Sequence, residues 1–124
     1  ICTTDILATC VAAAGMEVPA DAGEDSYNFL PHLLGESKGR VREATVLHSI
    51  NGIFAIRQGP WKFIDGGGSG GRTRVSESAN NQQLYHLGKD PCETENLAEK
   101  YPKKLKQLKK LLEKYKQSKT SRPS

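Results

Sequence analysis

Aromatic residues, methionine and long apolar runs are scarce in this 124-residue chain. Aromatics make up 6% and hydrophobic residues 36%, with one Trp and one Met, below the usual apolar share of a globular domain. That composition leaves room for one modest domain with one core. No apolar run approaches the length that a bilayer-spanning helix needs, so no membrane partner is expected. With no signal-peptide pattern at its start, the sequence is expected to be either a mature chain or a piece of a longer protein, and Ile1 running directly into a helical pattern favours the piece. Cys2, Cys10 and Cys92 are odd in number, widely spaced and in no Cys-x-x-Cys pair. They indicate neither a disulfide framework nor a zinc site.

Charge is present but unevenly spread. The net charge is +4, and Lys100, Lys103, Lys104, Lys106, Lys109, Lys110, Lys114, Lys116 and Lys119 fall in the last quarter of the chain. Without them the remainder is acidic.

Hydrophobic spacing orders the chain. Thr3-Thr4 ahead of Asp5 suits a helix cap. Ile6, Leu7, Cys10, Val11 and Ala14 then recur at helical spacing until Gly15. Pro19, Gly23 and several acids between Met16 and Asp25 read as a connection. Tyr27, Leu30, Leu33 and Leu34 predict a short helix around Pro31, stopping at Gly35, and the charged stretch 36–43 reads as a boundary. From Ala44 the period changes. Val46, Leu47 and Ile50 lead to Asn51-Gly52, a pair suited to the positive φ of a tight hairpin. Ile53 to Arg57 returns, Gln58-Gly59-Pro60 turns, and Trp61 to Ile64 forms a third strand, with Trp61 as a core anchor. A fourth strand, Leu84–Leu87, follows the glycine-rich loop from Gly66 to Gly71 and the polar stretch Arg72–Gln82, together too long for a hairpin loop. Asp90-Pro91 fixes a corner. Pro102, at home in a first helical turn, then starts a helix with Leu105, Leu108, Leu112 and Tyr115 on one stripe. The expected fold class is α+β: about four antiparallel strands packed against a long C-terminal helix.

Four stretches, in order, carry a resemblance. Leu-Tyr-x-Leu-x-x-Asp-Pro-x-Glu-x-x-Asn-Leu-Ala, at Leu84 to Ala98, resembles the closing motif of the sulfatase family. Thr4 to Pro19 resembles the helix that ends the sulfatase catalytic domain, and Ser26 to Gly35 resembles the family's connector, with Glu24 or Asp25 where glycine is usual. His-Ser-x-x-Gly-x-Phe-Ala-Ile-Arg-x-Gly-x-Trp-Lys, at His48 to Lys62, resembles a bacterial subgroup. The resemblance implies that residues 1–40 end an α/β, alkaline-phosphatase-like catalytic domain, and that residues 41–124 form the C-terminal subdomain. It further implies a sulfuric ester hydrolase, periplasmic or secreted, that works with calcium and a formylglycine. The formylglycine arises in a Cys/Ser-x-Pro-x-Arg motif, which none of the three cysteines has, and the scattered acids Glu17, Asp21, Glu24 and Asp25 offer no hard-ion cluster. The chain alone is therefore expected to be inactive, its partners being the upstream catalytic domain and, in the whole enzyme, a sulfated substrate.

His48 and Ser49, at a strand end beside a hairpin, are the candidates for substrate contact. Arg57 could hold a sulfate or carboxylate bidentately. The plainer readings are a packed or solvent-facing strand residue for His48 and an ordinary ion pair for Arg57. His32 and His86, among apolar neighbours, read as structural. The glycine-rich loop lacks the Gly-Lys-Ser/Thr of a phosphate cradle. The lysine-rich helix would attract polyanions, yet it carries no arginine or interleaved aromatics, and a solvated face opposite the leucine stripe accounts for it. No nucleic-acid partner is expected. The alternative function is a stand-alone α+β module that binds polyanions through that helix.

Overall fold

The computed structural model describes residues 1–68, 82–118 and 120–122. The sequence positions Ser69 to Gly71 of the glycine-rich loop, and most of the polar stretch after it, lie outside the described residues. The chain divides into two compact units, Ala44–Lys116 and Ile1–Glu43 with the C-terminal end from Gln117.

The larger unit is a meander of β1 (Thr45–His48), β2 (Phe54–Gln58), β3 (Trp61–Asp65) and β4 (Gln82–His86), paired antiparallel in the order β1-β2-β3-β4. The turns follow the sequence signals. Gly52 has φ 79° and Gly59 φ 59°, the left-handed region that glycine enters without a Cβ penalty. The pairing register puts Val46, Ile56, Phe63 and Leu84 in one row. Side chains alternate along a strand, so this row shares one face, and the long C-terminal helix covers it.

That helix is numbered α3 in chain order and runs Pro102–Gln117. Leu108 and Leu112 are fully buried against Ile56, Phe63, Leu84 and Ala44. Each such side chain contributes about 1.5–3 kcal/mol by leaving water. Leu105 and Tyr115 of the expected stripe pack at the margin, joined by Leu111, which the 3-4-3 spacing had not included. Trp61 is half-buried on the cluster's edge, with His86 edge-on at 4.8 Å and Tyr101 at 5.3 Å.

The corner between β4 and α3 owes its shape to two side chains. The Asp90 carboxylate accepts the Thr94 N–H at 2.7 Å and the Glu95 N–H at 2.9 Å, closing the turn that Asp-Pro begins. Asn96 Oδ1 accepts the Leu84 and Ala98 N–H groups, both at 3.0 Å, while its amide donates to the Gln82 carbonyl at 3.2 Å. The Leu97 N–H then donates to the Leu84 carbonyl at 2.8 Å. The loop thus pairs with the free edge of β4 through one side chain and one backbone group.

The smaller unit contains α1 (Ile6–Ala13) and α2 (Leu30–Leu33), with Gly15 at φ 73° and Gly35 at φ 76° just past their ends, as the C-terminal glycine rule expects. The expected Thr3-Thr4 cap is corrected: both threonines lie inside a short 3-10 turn, Thr3–Asp5. Asp5 instead accepts the Cys2 N–H at 2.7 Å, because an acid three residues on reaches back to that otherwise unmade donor. Asp5 is fully buried. It also accepts the Tyr27 N–H at 3.2 Å and the Arg42 guanidinium, which lies over the Tyr27 ring at 4.2 Å. Ser26 Oγ accepts the Ala8 N–H at 2.9 Å, and Thr9 Oγ1 accepts the Phe29 N–H at 3.1 Å. A polar web holds this unit together.

Candidate functional site

An apolar hollow of about 170 Å³ opens on the sheet of the larger unit, bordered by Leu47, His48, Ser49, Ile53, Ala55, Lys62 and Ile64. Leu47, Ala55, Lys62 and Ile64 alternate with the residues beneath α3, so they face away from it. Two of the three candidates from the sequence meet at this rim. His48 is exposed and lies opposite Phe54 in the register, its ring edge-on to the phenyl at 4.7 Å. That contact draws the imidazole to the α3 side of the sheet. Ser49 braces the hairpin: its N–H donates to the Ile53 carbonyl at 2.9 Å and its Oγ accepts the Ile53 N–H at 3.1 Å. Arg57 does not border the hollow. It is exposed, and its Nε donates to the Gly59 carbonyl at 3.2 Å.

Sequence reasoning passed over Lys62, the cation in the wall of the hollow. Its ammonium meets Glu93 Oε1 at 2.6 Å, both side chains being largely covered. Glu93 has φ 57°, a left-handed conformation that a residue with a side chain adopts against steric resistance. Alternation was the available signal: Lys62 sits between Trp61 and Phe63 and must point to the opposite face. Neighbouring Tyr85 is raised above its ordinary pKa, first by burial and then by the Glu93 and Asp90 charges. Its hydroxyl donates to Gln83 Oε1 at 2.7 Å.

Acidic groups elsewhere are held for structure. Burial works to raise the Asp65 carboxyl, but the hydrogen bond and charge of Lys116, at 2.9 Å, outweigh it and keep it below the usual carboxylate range. Asp90 is likewise lowered, chiefly by the backbone N–H of Glu95. Among the described residues no three His, Cys, Asp or Glu side chains converge as metal ligands. Cys2 is half-buried, and Cys10 and Cys92 are exposed. With no Cys/Ser-x-Pro-x-Arg sequence either, the described residues do not fit a calcium ion or a formylglycine.

The class defined by this geometry is a small α+β unit: a four-stranded sheet with one face under a helix and an apolar hollow on the other. No protein-family model matches the chain. It is 35% identical over 114 residues to N-acetylgalactosamine-6-O-sulfatase of Bacteroides thetaiotaomicron, covering 88% of this chain and 22% of that protein. A structure solved in work on the metabolism of multiple glycosaminoglycans by Bacteroides thetaiotaomicron superposes with a TM-score of 0.75 at 31% identity, over 92% of this chain and 24% of the other. Another, solved with its substrate D-glucosamine-2-N,6-O-disulfate, gives a TM-score of 0.66 at 25% identity, over 97% and 25%. These relatives are sulfatases, and over nearly its whole length the chain is similar to the C-terminal portion of such a protein. It spans about a quarter or less of the length of these relatives. The stand-alone polyanion-binding module is not favoured, because the match runs through nearly the whole chain.

Proposed function

We propose that this chain is the part of a sulfuric ester hydrolase that supports the catalytic domain and shapes one rim of its cleft. Residues 1–40 would supply the last helix and connector of an α/β, alkaline-phosphatase-like catalytic domain. Residues 41–124 would form the C-terminal subdomain. The observation that carries this reading is apolar surface left uncovered in both units. Ile6 is 56% exposed, Leu7 48%, Leu33 66%, Leu47 42% and Ile50 89%. Side chains of this size, placed at helical and strand spacing, gain about 25 cal/mol per Å² when a larger body covers them.

The whole enzyme would cleave sulfate esters of carbohydrate, the substrate class named for the relatives, using calcium and a formylglycine held by the upstream portion. Periplasmic or secreted placement accompanies that activity. No helix among the described residues is long and apolar enough to cross a membrane. Within this chain His48, Ser49 and Arg57 are the residues proposed to reach substrate, His48 through its exposed imidazole and Arg57 through its exposed guanidinium.

Two measurements test the reading. The purified 124-residue chain, supplied with calcium and an aryl sulfate, should release no sulfate; turnover would place a reactive centre inside it. In the protein that also carries the catalytic portion, His48→Ala should lower kcat/KM on the natural substrate and leave the melting temperature unchanged. Unaltered kinetics would remove His48 from the cleft.

A further inference from the structure

Helix α3 carries seven lysines against a single acid, Glu113. Three of the lysines are engaged. Lys116 pairs with Asp65 at 2.9 Å and with Glu113 at 3.0 Å, Lys104 donates to Gln58 and Gln107, and Lys109 feels the Asp65 charge. The other four, Lys103, Lys106, Lys110 and Lys114, are exposed and have no hydrogen-bond or ion-pair partner among the described residues. They fall at spacings of three, four and four, so they form one stripe on one side of the helix. At 1.5 Å rise per residue the stripe is about 16 Å long, longer than one sugar ring.

This arrangement works against the helix that bears it. Like charges at i,i+4 destabilise a helix, and Lys106–Lys110 and Lys110–Lys114 are two such pairs. Cations in the first turn oppose the macrodipole, yet Lys103 and Lys104 stand there and that turn holds no acid. A face serving only solubility would gain from interspersed glutamates, which add favourable i,i+4 pairs. A linear array of anionic groups lying along the stripe would remove the repulsion and replace it with attraction.

We propose that the Lys103–Lys106–Lys110–Lys114 stripe binds a sulfated polysaccharide, holding the polymer on the C-terminal unit away from the ester being cleaved. Lysine fits this task because its ammonium is a point charge on a flexible stem, able to follow irregularly placed sulfates. The choice of sulfated sugar over other polyanions rests on the sulfatase reading above. The lack of interleaved aromatics on the same side, on which bases would stack, points away from nucleic acid.

The test uses the protein that carries this chain with its catalytic portion, and heparin as the probe polymer. Titration at low salt should show binding that weakens steeply with added salt. The fourfold change K103Q/K106Q/K110Q/K114Q should weaken it by about tenfold or more and flatten its salt dependence. Circular dichroism checks that the helix survives, and K103R/K106R/K110R/K114R, which keeps the charge, should restore affinity. Wild-type affinity in the glutamine protein overturns the proposal, as does binding of duplex DNA as tightly as heparin. Sulfate release from a sulfated monosaccharide, too short to reach along the stripe, should be the same in both proteins. If wild type releases none, the assigned hydrolase activity fails while the polymer-binding result is read independently.

Discussion

The two units of this chain reach order by different routes. Ala44–Lys116 encloses a dry cluster of Ile56, Phe63, Leu84, Leu108 and Leu112, all fully buried. Its ionic groups serve at the margin, as Lys116–Asp65 and Lys62–Glu93 do. In the unit of Ile1–Glu43 the fully buried side chain is Asp5, and the apolar side chains Ile6, Leu7 and Leu33 face outward. Burial of hydrocarbon therefore specifies the first unit, whereas the second depends on satisfying one buried carboxylate. The comparison separates a unit with its own apolar core from one that leaves large apolar side chains exposed.

The largest expected effect is on the dry cluster. Phe63→Ala should cost about 3–5 kcal/mol through lost transfer energy and the cavity left behind. Trp61 is the only tryptophan and lies on that cluster's edge, so its fluorescence in urea reports this loss. A change below about 1 kcal/mol would mean the cluster is not what holds the unit.

Next in size, Asp5→Ala strands the Arg42 guanidinium and leaves the Cys2 and Tyr27 N–H groups without an acceptor, a loss of about 3 kcal/mol. Amide exchange at Ala8 and Tyr27 should quicken by about a hundredfold, while the Trp61 transition moves much less. Equal losses at both probes would break the comparison by showing one cooperative body.

The smallest effect is a pH dependence. The folded Asp65 pKa lies below its unfolded value, so its stabilising share is present above the ordinary carboxylate range and is lost as pH falls through the folded value. Asp65→Asn should remove that share, at most about 1 kcal/mol for a pair this exposed. The urea midpoint of the variant should match wild type in strong acid and fall below it at neutral pH. A constant gap across pH would assign the effect to packing and not to charge.

Legibility in the sequence follows the same division. The strands and turns of the larger unit could be read because each signal is local: alternation from Phe54 to Ile64, glycines where φ turns positive, Pro102 where α3 begins. The leucine stripe is local too. Asp5 was legible only as a neighbour of a cap, because its partners Tyr27 and Arg42 lie 22 and 37 residues away. No periodicity marks such pairs. Asn96 illustrates the point within a recognised motif. The motif placed it in a corner, but nothing in its spacing disclosed that the amide would bond to β4. At the hollow, His48 and Ser49 could be found from their place beside the hairpin. The Lys62–Glu93 pair was hidden, because it needs the loop to fold back over 31 residues.

Asn96 has a consequence for the chain's behaviour in company. β4 ends the sheet, and a terminal strand with free N–H and C=O groups is a template on which another polypeptide can stack. The Leu84 N–H and the Gln82 and Leu84 carbonyls are already taken by Asn96 and Leu97. The Asn96 amide and the Leu97 N–H thus act together as a stopper against runaway sheet growth from that border, guarding molecules crowded at high concentration.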